Sequence, residues 1–413
     1  MPLIVQKFGG TSVADPDRIH KAARRAIDAK NQGNHVVVVV SAMGNTTDDL
    51  IHLANQVCSH DGRSISPPKR EIDQLLVTGE QITIALMAMA IQAQGCQSIS
   101  FTGGQIGLVT DSAFTKARIQ SINKQRIFSE LDLGKIVIVA GFQGVTPEGD
   151  YTTLGRGGSN ATLVALGAVL NADVCENYTD VDGIFTADPK IVKNARKIDR
   201  ISYDEMLELA GLGASVLQTR AVEFAKKYNV PIHVRNSQNH LQGTWIVAET
   251  PNMEHIVVSG AALKKDLTRV TIKAVPDHPG VAAKIFGDIA AANIVVDDII
   301  QNLLDDNTAS ISFTVEHADL ADIKPLVQRI VHDLGGKTTA TYHGDLSKVS
   351  VVGVGMRTHT GVAQRMFKAL ADAKVNIQNI TTSEIKISCI ISKDQGPKAL
   401  QVIHEAFELH KPR

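Results

Sequence analysis

The chain has 413 residues, of which 44% are hydrophobic, 21% charged and only 4% aromatic, and its formal net charge is −1. That length is too great for one ordinary core and predicts two or three domains. The neutral balance carries no electrostatic footprint for nucleic acid or an anionic membrane, so neither is expected as a partner. The opening residues lack a basic region followed by a long apolar stretch, so no secretory signal is expected. The apolar run Val36 to Val40 is strand-sized, far short of the ~20 residues that a spanning helix needs. Cys58, Cys96, Cys175 and Cys389 are scattered without a C-x-x-C pair; they read as free thiols in a cytoplasmic protein, not as metal ligands or disulfides.

In chain order, Leu3 to Lys7 reads as a strand that ends in a Gly9-Gly10 turn. A helix follows, with Asp15 as N-cap, Pro16 at its first position and Ile19, Ala22, Ala23, Ala26 and Ile27 on one face. His35 to Ser41 is β-branched without alternation, as a strand covered on both faces would be. Glu71 to Gln94 reads as a long helix closed by Gly95. Lys135 to Ala140 is a second buried strand, Ser159 to Leu170 a helix, and Asp173 to Tyr178 and Val230 to Val234 are further strands. This alternation predicts an α/β layer sandwich whose ligands gather at one edge of the sheet.

Beyond about Trp245 the pattern changes. His278, Gly280, Val281, Ala282 and Phe286 recur at the same spacing as His359, Gly361, Val362, Ala363 and Phe367. Each stretch opens a segment that reads strand, loop, helix, strand, strand, helix, which predicts a ferredoxin-like βαββαβ unit present twice. A glycine at each loop-to-helix entrance bares backbone N–H groups that suit a carboxylate.

Four groups of residues carry candidate chemistry. Lys7-Phe8-Gly9-Gly10-Thr11 places an ammonium at a strand end before two residues without Cβ, an arrangement that lets a phosphate approach backbone donors. Gly155-Arg156-Gly157-Gly158-Ser159 leads into a helix, exposes donors to an anion and offers Arg156 as a bidentate carboxylate clamp. Thr179-Asp180-Val181-Asp182-Gly183, followed by Ala187-Asp188-Pro189, follows a strand and reads either as a nucleotide-side loop or as an ordinary turn. Ser41, Thr47 and Glu80 come last; Glu80 lies among apolar neighbours and needs a cationic partner, either a substrate ammonium or a salt bridge to Arg156 or Lys7.

The order of these pieces resembles the aspartokinase family. Val-Gln-Lys-Phe-Gly-Gly-Thr-Ser-Val, Val-Val-Ser-Ala-Met-Gly, Thr-Gly-Glu-Gln, Val-Ala-Gly-Phe-Gln-Gly, Thr-Leu-Gly-Arg-Gly-Gly-Ser, Tyr-Thr-Asp-Val-Asp-Gly and Thr-Ala-Asp-Pro stand in that family's order, and the tail resembles paired ACT domains. The resemblance implies an amino-acid-kinase αβα sandwich over residues 1–245, followed by two ferredoxin-like ACT domains over 265–340 and 346–413. It implies ATP-dependent phosphorylation of the aspartate side-chain carboxylate, with Mg²⁺ and with feedback by lysine or threonine. Lys7 would face the transferred phosphoryl group, with Phe8, Gly9, Gly10 and Ser12 around the phosphates. Ser41, Thr47, Glu80, Arg156 and Ser159 would hold aspartate, and Gly157 and Gly158 would lie between the two substrates. Thr179, Asp180, Phe185 and Asp188 would face the nucleotide. The effector would sit on Asp277, Gly280, Val281, Ala282 and Gln301, with Asn376, Ile377, Thr382 and Ser383 contributed by the second repeat. The resemblance also implies a homodimer or larger oligomer through the ACT domains, and Met253 stands where a shorter subunit would start.

Three positions depart from the family. Asn160 replaces an aspartate that holds the active-site lysines in line, Ser215 replaces a lysine on the phosphates, and Asn177 replaces an apolar residue. The first two losses cancel in charge, yet each removes a preorganised group, and such a loss costs on the order of 10²–10³ in rate. Weakened catalysis is therefore expected unless Lys190 or Lys193 supplies the missing ammonium. The alternative reading is an amino-acid-binding regulatory relative with feeble activity. A kinase of glutamate or acetylated glutamate would lack the paired repeats.

Overall fold

A computed structural model describes residues 1–60, 63–213, 216–248, 257–292, 294–304, 307–357 and 359–412. Ser215 and Met253 lie outside the described residues. The chain divides into two units, Met1–Phe185 with Lys197–Met253, and Thr186–Arg196 with Glu254–Arg413.

In the first unit the apolar runs become the central strands, as their lack of alternation predicts. Among the described residues the main sheet has eight strands, in the spatial order Arg200–Ser202, Thr244–Val247, Ile232–Asn236, Val174–Thr179, Leu3–Phe8, His35–Val40, Ile136–Ala140 and Ser98–Phe101. The six from Ile232–Asn236 onward are mutually parallel, so their carboxyl ends share one edge. Glu176 helps to fix their register: it accepts from Gln6 Nε2 at 2.9 Å, Tyr178 Oη at 3.0 Å and Arg235 Nη1 at 3.0 Å, residues on three neighbouring strands.

The helices of this unit are α1 (Pro16–Asn31), α2 (Thr46–Val57), α3 (Lys69–Ala93), α4 (Gln125–Asp132), α5 (Gly158–Leu170), α6 (Tyr203–Gly211) and α7 (Thr219–Tyr228). Asp15 caps α1 as expected, accepting from Arg18 N at 2.8 Å, with Pro16 at the first turn. α3 is long and apolar enough to cross a membrane, but Ile84, Met87 and Ile91 pack into the core beneath the sheet with α1. α5 is buried all round and lies against the central strands. A smaller sheet pairs Tyr151–Thr153 with Gln143–Val145, then Val109–Thr110 and Ile119–Ser121.

The second unit is built on one six-stranded sheet in the order Asp297–Leu303, Thr308–Glu316, Gly260–Pro276, Thr339–Val352, Lys386–Ser392 and Asn379–Thr382. α8 (Val281–Ala291) and α9 (Leu320–Leu334) cover the first repeat; α10 (Val362–Asp372) and α11 (Gly396–Ala406) cover the second. Both repeats have the ferredoxin-like strand order, but two long strands run through both. Residues 267–276 belong to the first repeat, whereas Gly260 to Lys264 pair with Val352 to Lys348 as the outer strand of the second. The second repeat thus takes its last strand from residues that precede the first. Lys348, 1% exposed, pairs with Asp297 and with Asp298 at 3.1 Å, and Asp298 also accepts from Thr381 Oγ1 at 3.0 Å. These side chains tie Asp297–Leu303 of the first repeat to Thr339–Val352 and Asn379–Thr382. The Thr186–Arg196 segment packs Ala187 and Val192 into the second repeat's core, and Thr186 Oγ1 bonds His404 Nε2 at 2.9 Å.

Candidate active site

A cleft of about 500 Å³ opens in the first unit. Ser41, Thr47, Glu80, Arg156 and Ser159 line it together, and Lys7, Gly157, Gly158 and Asn160 share its wall. Residues from five separate stretches of sequence therefore meet at one place.

Lys7 is the next-to-last residue of its strand and is buried, so desolvation lowers its pKa to about 8, while the carboxylate of Asp180 opposes the shift. The turn after it is tight because Gly10 has no Cβ: one would lie 2.9 Å from the Ala42 carbonyl oxygen. Ser12 Oγ is buried behind this turn with no hydrogen-bond partner among the described residues. Glu80 is 2% exposed; burial pushes its pKa up to about 8, against the pull of the Ala42 N–H, which donates to Oε1 at 3.0 Å. Its Oε2 is buried without a partner among the described residues. Neither Arg156 nor Lys7 forms an ion pair with it among the described residues, so the salt-bridge reading of Glu80 does not hold. A buried oxygen left unpaired costs ~1–3 kcal/mol and awaits a donor.

The glycine-rich loop closes the other side. Gly157 adopts φ +68°, and a Cβ there would run into the side chain of Gln218. It delivers Ser159 to the first turn of α5, where Ser41 Oγ donates to Ser159 Oγ at 2.9 Å. Asn160 follows, 8% exposed, with its Oδ1 unpartnered. Asn177 stands in register beside Lys7; its Nδ2 reaches Val216 O at 3.4 Å and its Oδ1 has no partner.

The other expected residues are distributed as follows. Gly9 and Gly10 continue from the strand end beside Thr179 and Asp180, because Phe8 and Tyr178 are register partners; Thr179 Oγ1 donates to Asp180 at 3.0 Å. The ring of Phe8 is fully buried and stacked on Tyr178 at 4.8 Å, so its backbone is what it can offer a nucleotide. Phe185 bridges Lys197 at the neck from which the Thr186–Arg196 segment departs. Asp188 lies in that segment, within the second unit, and its Oδ1 accepts from Lys190 N at 2.8 Å. Asp48 and Asn55 on α2, with Thr115 and Thr153, line the cleft unanticipated. A polar-apolar-polar stripe at positions 48, 51 and 55 was the available signal for the first two. Among the described residues no group of three His, Cys, Asp or Glu side chains could hold a metal ion.

In the second unit, Asp277, Gly280, Val281, Ala282 and Gln301 line one pocket of about 400 Å³ at the start of α8. No described residue of the second repeat lines it. Asn376, Thr382 and Ser383 are exposed elsewhere, and Ile377 packs on the second repeat's core.

Comparison with known proteins agrees with this fold. Residues 2–236 match the amino acid kinase family, and residues 268–331 and 349–407 each match the ACT domain. An aspartate kinase of Stutzerimonas stutzeri is 49% identical over the whole chain and 98% of its own length. An aspartokinase of Pseudomonas aeruginosa is 49% identical over the whole chain and 99% of its own length. The crystal structure of E. coli aspartokinase III with aspartate and ADP superposes with a TM-score of 0.84 at 24% identity, covering 98% of this chain and 99% of that one. With relatives this similar from end to end, the chain belongs to the aspartokinase family.

Proposed function

We propose that the cleft binds L-aspartate and passes the γ-phosphoryl group of ATP to its side-chain carboxylate, giving 4-phospho-L-aspartate. The observation that carries the substrate assignment is Glu80, whose buried, unpartnered Oε2 suits the aspartate ammonium. Arg156 takes the α-carboxylate as a two-pronged donor, and Ser41, Thr47 and Ser159 offer hydroxyls to the remaining oxygens. The side-chain carboxylate is thereby turned toward Lys7. An oxygen–phosphorus bond forms there as the bond from phosphorus to the departing ADP oxygen breaks. Attack of an anion on an anionic phosphate needs positioning and neutralisation more than covalent help. Lys7, the Gly9-Gly10 turn and Ser12 supply donors to the phosphates, and Thr179, Asp180 and Phe185 face the nucleotide. Mg²⁺ carried in with the nucleotide would supply further positive charge at the phosphates, as hard cations held by few protein carboxylates do. The pocket at α8 takes lysine or threonine as feedback effector, and the chain works as a homodimer or larger oligomer.

A coupled assay of ATP consumption with aspartate tests the reading. The parent chain is expected to turn over, and Lys7→Ala to reduce turnover to background with an unchanged circular-dichroism spectrum. Equal turnover in that variant would remove Lys7 from the chemistry. Aspartate binding without turnover in the parent would favour the regulatory alternative, which Asn160 in place of a carboxylate makes worth separating.

A further inference from the structure

One buried carboxylate close to the cleft is left over by this chemistry. Asp73 lies on α3, two turns before Glu80, and is wholly inaccessible to solvent. It accepts three hydrogen bonds: Thr153 Oγ1 to Oδ1 at 2.6 Å, Thr153 N to Oδ2 at 2.9 Å and Thr115 N to Oδ2 at 2.8 Å. Both partners belong to the wall of the cleft. Thr115 is held at φ +70°, a left-handed conformation that a β-branched residue adopts only when its surroundings compel it. Its carbonyl oxygen lies 3.1 Å from where a Cβ of Gly155 would be, so the Thr115 peptide abuts the start of the Arg156 loop. Thr153 leads into the same loop through Leu154. From the other side Arg220 on α7 donates to Leu154 O and Ala117 O, each at 3.2 Å. The stem of the Arg156 loop is thus suspended between an anion on one helix and a cation on another.

We propose that Asp73 is a positioning residue for aspartate: it locks the loop bearing Arg156 to the helix bearing Glu80, so that the two substrate-binding groups form one rigid clamp. The inference rests on the reading of Glu80 and Arg156 given above. Rigid placement matters because a misplacement of about 1 Å in a positioning group can cost on the order of 10²-fold. Burying a carboxylate is costly unless all its lone pairs are used, and here they secure two backbone N–H groups at the base of the loop. An asparagine replaces it only in part: its amide oxygen can accept from the two backbone N–H groups while its N–H₂ donates to the Thr153 hydroxyl, but the charge that strengthens these bonds is lost.

The test is steady-state kinetics on the full chain with aspartate and ATP varied separately. Asp73→Asn is expected to raise KM for aspartate by about three- to tenfold and Thr153→Val by a similar factor, with KM for ATP within about twofold of the parent. Thr153→Ser, which keeps the hydroxyl, is expected to restore the parent KM for aspartate. A merely structural role would lower the active fraction, and with it kcat, leaving both KM values alone. The inference is overturned if folded Asp73→Asn keeps the parent KM for aspartate, if both KM values rise together, or if Thr153→Ser behaves as Thr153→Val. Should Asp73→Asn fail to fold, the two Thr153 variants decide. A parent chain that consumes no ATP with aspartate overturns the functional reading itself, and that is seen before any variant is made.

Discussion

Glu80 has one carboxylate oxygen on the Ala42 N–H and the other buried with no partner among the described residues. With its pKa raised to about 8 by burial, the empty site is mostly protonated at pH 7. An ammonium beside it favours the ionised form and brings the pKa down. Binding of aspartate at pH 7 is therefore expected to release close to one proton, and the release should fade as pH rises past about 8, where the free carboxyl is already ionised. Calorimetry in buffers of different ionisation enthalpy counts that proton. Glu80→Gln should lose the release and bind aspartate more weakly by about 1.5–3 kcal/mol, the worth of a charge-assisted hydrogen bond. The same proton count in Glu80→Gln would assign the titration to another group. Residue identity alone made this group legible: an acid amid apolar positions on a helix demands a partner. Its isolation from Lys7 and Arg156 was not legible, because no spacing reports which of three chain-distant groups a carboxylate will meet. Asn160 illustrates the converse. Its departure from the family pattern is plain in sequence, but that its Oδ1 is left unpaired emerges only from packing.

At the scale of elements, α8 begins from Gly280 beside the Asp277 pocket, with no side-chain cap. A carboxylate at that helix start gains roughly 0.3–1 kcal/mol or more from the local dipole, and Asp277 supplies the opposite charge for an amino group. Asp277→Ala is expected to raise the lysine or threonine concentration for half-inhibition by about tenfold, with kcat and both KM values unchanged in the absence of effector. Inhibition curves that superimpose on the parent's would place the effector elsewhere. The helices and strands themselves were largely readable: continuous β-branched runs became the two-sided central strands, and Asp15-Pro16 started α1 as its chemistry requires. The clamp of Asp73 was not readable, since its partners stand 42 and 80 residues away. The burial of the Phe8 ring was not readable from the motif, because a residue inside a phosphate-binding motif still alternates faces with its strand, and its face is the core.

Over the whole molecule, the two repeats of the second unit are less separable than their sequence similarity suggests. Val258 and Ala261 sit in the second repeat's core, and Gly260 to Lys264 complete its sheet. A fragment of residues 346–412 therefore leaves the strand Ser347 to Val352 without one neighbour. It is expected to show no cooperative thermal transition by circular dichroism, whereas residues 257–412 should melt as a folded unit. Cooperative melting of the shorter fragment would show that the outer strand is dispensable. The shared strands also set an order of events during synthesis. Residues 260–264 leave the ribosome well before the residues they pair with, and at ~5–20 residues per second the gap is on the order of ten seconds. For that interval a future sheet strand is exposed with no mate, the circumstance in which nascent chains associate wrongly. Its composition is fitting: Gly260-Ala261-Ala262-Leu263-Lys264-Lys265 combines weak strand formers with two lysines, the kind of residues that discourage premature pairing. A segment that must wait is written so that it pairs late, and only with the partner that the completed chain supplies.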